Sequence, residues 1–412
     1  MGHVSPAAAH APRRAAIAFI FVTVVLDVLA FGIIIPVLPK LVEDFLGGNT
    51  ARAAEIYGLF GTIWALMQFF FSPVLGSLSD RYGRRPIILL SNFGLGIDYI
   101  FMALAPTLGW LFVGRLISGI TGASFTTAGA YIADVTPPER RAASYGMLGA
   151  AFGVGFVLGP AIGGVLGGIN PRYPFWGAAC LTLINACYGI FVLPESLSIE
   201  KRKTFSWHRA NPIGALKLLR SHPELLGLAS VNFLYYLAHQ VLQSTFVLYA
   251  SYRYGWNERT MGLMLALIGA LSIVVQGGLV RPVVARIGER RALLTGLICG
   301  AFGFLSYGLA PTGRLFMLAT PVFSIMGLYG PSAQGLMTRR VSASEQGQLS
   351  GANSSVMGIT GMIGPTLFTV TFATFISSRA AWHLPGAPFL LAASMMVFAT
   401  GIAWTVTRQS HD

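Results

Sequence analysis

The sequence predicts an all-α membrane protein of twelve transmembrane helices in two pseudo-symmetric six-helix bundles, and three observations predict it. Of 412 residues, 54% are hydrophobic and only 10% are charged, and the mean hydropathy is +0.66. A soluble domain carries about 25% charged residues, so the apolar surplus must face lipid. Charge-poor windows recur at the length that a spanning helix needs, about 20 residues at about 1.5 Å of rise for a hydrocarbon core of about 30 Å. The chain also repeats: GSLSDRYGRRP at 76–86 has a degraded copy in RPVVARIGERR at 281–291, and GPAIGG at 159–164 aligns with GPTLFT at 364–369, both 205 residues apart. Two parallel six-helix halves are a plan expected of secondary transporters, with the substrate path at their interface.

Taken in order, the first window is 15–39, which follows Arg13 and Arg14 and is interrupted only by Asp27. It is too long for a signal-peptide core, contains an acid and lacks a small-residue cleavage site, so it reads as a retained helix. Next come 56–78, then 86–107 with Asp98, 109–133 with Arg115, the glycine-rich 142–168, and 173–193. The second half supplies 223–251, 260–284, 292–311, 313–338, 347–375 and 385–407. The expected organisation is a cytoplasmic N-terminus (1–14), a first bundle (15–193), a cytoplasmic linker (194–222) with KRK at 201–203, and a second bundle (223–412). The linker is either solvated or, through Trp207, His208 and Arg209, laid on lipid headgroups.

The net charge of +13 and pI near 10.0 do not point to nucleic acid, because the basic residues punctuate apolar runs. Twenty Lys and Arg fall on one side of the windows and seven on the other, with Arg115 inside a helix. The positive-inside rule then places both termini in the cytoplasm, and the short termini incline the reading to a bacterial inner membrane. Cys180, Cys187 and Cys299 lie in apolar segments without metal-ligand spacing, so neither a disulfide framework nor a zinc site is expected. No nucleophile–base pair or nucleotide loop stands out, and GVGFVLG lies inside a span, so the chain is not expected to be an enzyme.

Asp27 and Asp98 carry the chemistry. A charge at the bilayer midplane costs at least about 3 kcal/mol, so each acid must be paired, hydrated or protonated. Ser91, Gly94 and Asp98 share one helical face, a small polar stripe turned inward. An acid held between burial and a nearby cation can switch protonation near neutrality, as proton coupling requires. The alternative is a fixed ion pair with Arg115, which itself either snorkels to the outer surface or lies in the bundle beside Gly119, Gly122 and Ala123. The second half has no acid within a span. It offers Asn232, Tyr236, His239 and Gln243 along one face, and Ser272 and Gln276 on the next helix, as a surface that reads a ligand by hydrogen bonds and stacking. His239 either titrates or is a satisfied core histidine.

At the cytoplasmic mouth, Gly76, Asp80, Arg81, Gly83, Arg84 and Arg85 set one acid and three guanidiniums on a glycine-permitted turn, with Asp134 a candidate partner. This loop resembles the signature of the major facilitator superfamily, and GVGFVLGPAIGG at 153–164 is similar to the antiporter signature of its drug-efflux branches. Repeated glycines flatten a helix face and Pro160 bends the helix. Together with IPVLPKLV (35–42), IDYIFMA (97–103), GRLISGITGA (114–123), AGAYIAD (128–134), VARIGERRAL (284–293) and QGQLSG (346–351), these stretches resemble the tetracycline/proton antiporters. The resemblance implies the major facilitator fold, proton coupling at Asp27, Asp98 and Arg115, gating at Asp80, Arg81 and Arg84, and a helix 8 glutamine at Gln276. Two positions depart from it: the family's helix 8 histidine is Ser272 here, and its helix 9 aspartate falls at Gly300. Family members carry the drug as a cationic metal chelate, so the lost charge counts against tetracycline.

The expected function is a proton-coupled efflux antiporter that exports an amphipathic, drug-like compound, tetracycline-like or other, by alternating access. The alternatives are an importer or facilitator on the same fold, or a non-transporting receptor, against which the costly buried acids argue. No resident cofactor is expected; the proton gradient supplies the energy, and any divalent metal would travel with the substrate. The partners are the drug, protons and the bilayer, and a monomer is expected to suffice.

Overall fold

The structure is a computed structural model describing residues 11–122, 124–137, 141–205, 216, 218–219, 223–342, 345–377, 380 and 382–408. Residues 206–215, 217 and 220–222 of the expected linker, with Trp207, His208 and Arg209, lie outside the described residues. In the first half the helices are α1 (Ala11–Ile34), α2 (Leu38–Phe45), α3 (Thr50–Tyr82), α4 (Arg84–Leu104), α5 (Leu108–Thr121), α6 (Ser124–Val135), α7 (Arg141–Ile169) and α8 (Tyr173–Val192). In the second they are α9 (Pro223–Ser244), α10 (Phe246–Tyr254), α11 (Glu258–Val274), α12 (Val280–Leu309), α13 (Gly313–Ser324), α14 (Tyr329–Thr338), α15 (Gln346–Ile376) and α16 (Ala387–Arg408).

Ten helical stretches among the described residues are long and apolar enough to cross a membrane. The twelve windows are recovered from them for two local reasons. Glu258–Leu309 runs as one 52-residue stretch, but Gly288 at φ 79° breaks it into two. The 109–133 window is divided between α5 and α6 at Gly122, which leaves each piece short.

The chain clusters into two compact units: Met1–Val37 with Phe70–Asn211, and Leu38–Phe69 with Pro212–Asp412. The sequence repeat groups residues 38–69 with the first half; the packing groups them with the second. Thr62 explains this locally, since its hydroxyl donates to the Met362 carbonyl at 2.8 Å and lies 2.8 Å from the Thr366 hydroxyl. Lys40 Nζ donates to Glu43 at 2.5 Å and to Ser251 at 3.0 Å. A Cβ on Gly61 would come within 2.8 Å of Pro365, so α3 and α15 approach nearly backbone to backbone.

Within the first unit, α1 packs along α7, and α8 lies against both α1 and α4. Hydrophobic transfer does not drive helices together inside lipid, so association depends on close packing and hydrogen bonds. The glycines of α7 serve that purpose. A Cβ on Gly155 would strike Val28, one on Gly159 would come within 2.7 Å of Gly32, and one on Gly163 would collide with the Ile33 backbone. Within the second unit, α12 packs on α16, and α9 on α15 and α16. One end of it is packed with aromatics: Tyr307 and Phe316 stack at 3.9 Å, and the Tyr249 hydroxyl donates to the Tyr307 carbonyl at 2.8 Å.

Candidate functional site

The α3–α4 turn is built around Arg84. Gly83 adopts φ 107°, a conformation open to glycine and strained for other residues. No side chain of its own caps the N-terminus of α4. Glu195 caps it instead, accepting from the Arg84 amide at 2.9 Å and the Arg85 amide at 3.3 Å, where the helix dipole favours an anion. The Arg84 side chain, 10% exposed, reaches Asp80 at 2.6 Å, Asp134 at 3.0 Å and the Ser79 hydroxyl at 2.6 Å. Ser196 adds a donor to Asp134 at 3.2 Å, and the Lys203 amide donates to the Asp80 carbonyl at 3.0 Å. One arginine thus ties α3, α4 and α6 together, and the segment after α8 folds over it. Arg81 is not part of this cluster; it lies over the Tyr82 ring at 5.0 Å. Sequence reasoning missed Glu195, because nothing in LPES announces that its acid reaches a helix start 111 residues earlier.

The second unit holds the repeat of this arrangement with its polarity reversed. Gly288 and Gly83, 205 residues apart, both have positive φ. The same offset carries Arg84 to Glu289 and Asp134 to Arg339, and Arg339 bonds Glu289 at 2.9 Å. Asp80 becomes Ala285. The geometry is retained while the charges are exchanged.

The buried acids sit in two different environments. Asp98 is 1% exposed on α4, and neither carboxylate oxygen has a hydrogen-bond partner among the described residues. Arg115 is buried on α5, 8% exposed, so it does not snorkel; yet its guanidinium donates no hydrogen bond to Asp98. A fixed, hydrogen-bonded ion pair is therefore not what the fold builds. A buried carboxyl without a fixed donor can gain and lose a proton without breaking a hydrogen bond. α5 approaches closely here, since a Cβ on Gly114 would come within 3.2 Å of Asp98 Oδ1. Asp27, 6% exposed, does have a fixed donor: Asn185 Nδ2 at 2.8 Å. Sequence reasoning missed Asn185, a single amide in an apolar run whose partner lies 158 residues away.

The polar stripe of the second half is divided by the fold. Asn232, at the position 205 residues after Asp27, is 4% exposed and does not stand open to a ligand. Its Oδ1 accepts from the Tyr329 hydroxyl at 2.5 Å, its Nδ2 donates to Asn353 at 3.1 Å, and Asn353 donates to Gln334 at 3.2 Å. Tyr235, outside the predicted stripe, stacks on Tyr329 at 4.0 Å and parallel to His239 at 6.2 Å. Tyr236 meets Tyr235 edge-on at 5.4 Å, while His239 Nδ1 has no hydrogen-bond partner among the described residues. Gln243 is exposed. Ser272 donates to the Ile268 carbonyl of its own helix at 2.9 Å. Gln276 sits on a π-helical turn, Val275–Leu279, a distortion frequent at functional sites; VQGGL shows it only as two glycines.

Spanning helices, a parallel repeat and carboxyls buried inside spans define a secondary transporter. Residues 20–365 match the Major Facilitator Superfamily, and the chain belongs to that superfamily. It is a multi-pass integral membrane protein. Among its relatives, the class C tetracycline resistance protein of Escherichia coli is 37% identical, over 90% of this chain and 93% of the relative. The class G tetracycline resistance protein of Vibrio anguillarum is 36% identical, over 87% and 90%. The crystal structure of the human organic anion transporter MFSD10 superimposes with a TM-score of 0.70 at 24% identity, covering 95% of this chain and 99% of that one, and shows the same fold.

Gly300, where the resemblance calls for aspartate, does not border an open space. A Cβ there would come within 2.6 Å of Met396 Cε and 2.7 Å of Met326 Sδ. Two methionines fill the place of the acid. Gly300→Ala is expected to be tolerated, because thioether tails shift easily. Gly300→Asp buries an unpaired charge, at a cost of at least about 3 kcal/mol, and is expected to lower the yield of monodisperse protein in gel filtration. Normal yield and gained tetracycline export in the aspartate variant would contradict this packing.

Proposed function

We propose that the protein is a proton-driven exporter of amphipathic, drug-like compounds. The observation that carries the reading is the pair of carboxyls buried in the first unit, Asp98 without a hydrogen-bond partner among the described residues and Asp27 with a donor in Asn185. The relatives' names support drug resistance as the outcome and tetracyclines as the first compounds to test. Gly300 and Ser272 favour ligands that do not arrive as a cationic metal chelate. In this reading Asp27, Asp98 and Arg115 handle the proton. Asp80, Arg81, Arg84 and Asp134 gate the cytoplasmic mouth. Tyr236, His239, Gln243, Ser272 and Gln276 contact the ligand, with Asn232 holding the aromatic wall in place through Tyr329. The charge bias supports both termini lying in the cytoplasm, and the bacterial relatives support the inner membrane. No resident cofactor is needed and a monomer suffices.

The experiment is purified protein in liposomes loaded with a pH-sensitive dye. Adding tetracycline, or a panel of aromatic drugs with and without Mg²⁺, is expected to move protons opposite to the drug. Drug uptake with no pH change would overturn antiport, and proton movement in the same direction as the drug would make the protein an importer.

A further inference from the structure

Asn185 lies on α8 with 0% exposure. Its Nδ2 donates to the Thr23 carbonyl at 2.9 Å and to Asp27 Oδ1 at 2.8 Å. A backbone carbonyl only accepts, so the orientation of the amide is set by Thr23 and does not depend on the state of Asp27. Both amide hydrogens are used, and the second is aimed at the carboxyl. On the other side of the same amide, Asn185 Oδ1 has no hydrogen-bond partner among the described residues, and neither do the hydroxyls of Thr23 and Thr182. The α1–α8 seam is thus a buried polar strip in which one atom of Asp27 is held by a donor that cannot turn away.

We infer that Asn185 is the positioning residue for Asp27, fixing its rotamer and tuning how readily it takes a proton by holding a permanent donor against Oδ1. The inference rests on the reading of Asp27 as a proton carrier. A donor to a carboxylate is charge-assisted and stronger than the same donor to a neutral acid, so it competes with protonation. The ionisable groups on the elements packed against α1 are few. The described side chains of α7 include none, α6 has Tyr131 and Asp134, and α8 has Tyr173 at its start, Cys180, Cys187 and Tyr188. Tyr99 on α4 lies within electrostatic reach of Asp27, Asp98 and Arg115, so the two acids share one buried neighbour while only Asp27 has an amide of its own.

Dicyclohexylcarbodiimide tests this without any transport. An apolar carbodiimide reacts with protonated carboxyls, and the adduct on Asp27 is quantified by peptide mass spectrometry across pH 5 to 9, in an Asp98→Asn background. With Asn185→Leu, similar in volume but without a donor, the labelling profile is expected to move toward alkaline pH by about one unit, tenfold in proton occupancy. Asn185→Gln, which keeps the amide, is expected to move it less. If the leucine variant does not fold, Asn185→Ser gives the same comparison with a shortened donor. A profile unmoved in a folded donor-free or donor-shortened variant would overturn the inference. Because labelling needs no drug, a shifted profile alongside a parent protein, with Asp98 intact, that moves no protons with drug would reject the exporter reading and keep the role of Asn185.

Discussion

Asp98→Asn is expected to abolish drug-dependent proton movement while leaving the protein folded and inserted. The separation of the two effects is the point. Asp98 is 1% exposed and accepts no hydrogen bond among the described residues, so exchanging one oxygen for an amide nitrogen breaks no hydrogen bond and barely changes volume; what it removes is the charge that faces Arg115. Removing one partner of a buried ion pair costs about 3–5 kcal/mol. A substitution that breaks no hydrogen bond and only weakens a charge interaction costs less, about 1 kcal/mol. The melting temperature in detergent should therefore shift by no more than a few degrees, while the dye signal on adding drug is lost. A large drop in melting temperature would mean that the acid is a structural partner after all. Intact proton movement in the variant would remove Asp98 from the mechanism.

Arg84→Ala is expected to destabilise the first unit on the order of 3 kcal/mol and to abolish resistance, whereas Arg339→Ala is expected to cost less than about 1 kcal/mol. Burial decides between these repeat-related pairs. The Arg84 side chain is 10% exposed and meets Asp80, Asp134 and Ser79 together. Its loss leaves Asp134, 22% exposed, without its cation; the contribution from Asp80, 35% exposed, is smaller because solvent screens it. The two carboxylates are about equally buried, Glu289 at 19% and Asp134 at 22%, so the difference lies in the arginine: Arg339 is 75% exposed, is screened by solvent and pays side-chain entropy for a single bond. Exchanging Glu289→Arg with Arg339→Asp, which gives the second unit the polarity of the first, should leave melting temperature and resistance nearly unchanged. Equal losses from Arg84→Ala and Arg339→Ala would show that the two clusters are mechanically equivalent and that burial is not what matters.

Much of the architecture was legible in the sequence because lipid leaves the chain few choices. A segment without water must satisfy its own backbone, so apolar length translates directly into helices. A charge that survives inside such a segment is conspicuous, which is how Asp27, Asp98 and Arg115 were found. The glycine turn at Gly83 and its repeat at Gly288 were visible for a related reason, since few residues tolerate that backbone. The superfamily followed from the same stretches.

Partnerships were not legible. Arg84 with Asp134, Glu195 with the start of α4, and Asn185 with Asp27 join residues 50, 111 and 158 positions apart, and no periodicity encodes which helix lies beside which. The stripe on α9 had the right spacing and a different use, because Tyr329 arrives from α14 and draws Asn232 into a hydrogen-bond chain. Residues 38–69 belong to the first repeat by sequence and to the second unit by packing, since repeat boundaries record descent while side chains such as Thr62 and Lys40 bond to whatever helix stands within reach. By itself the sequence determined the spans, the repeat and the buried charges, each a consequence of local chemistry in a solvent that punishes polarity. Only the tertiary structure decided which of those charges are hydrogen-bonded, and that difference separates Asp98, which no donor among the described residues holds, from Arg84, held by three neighbours.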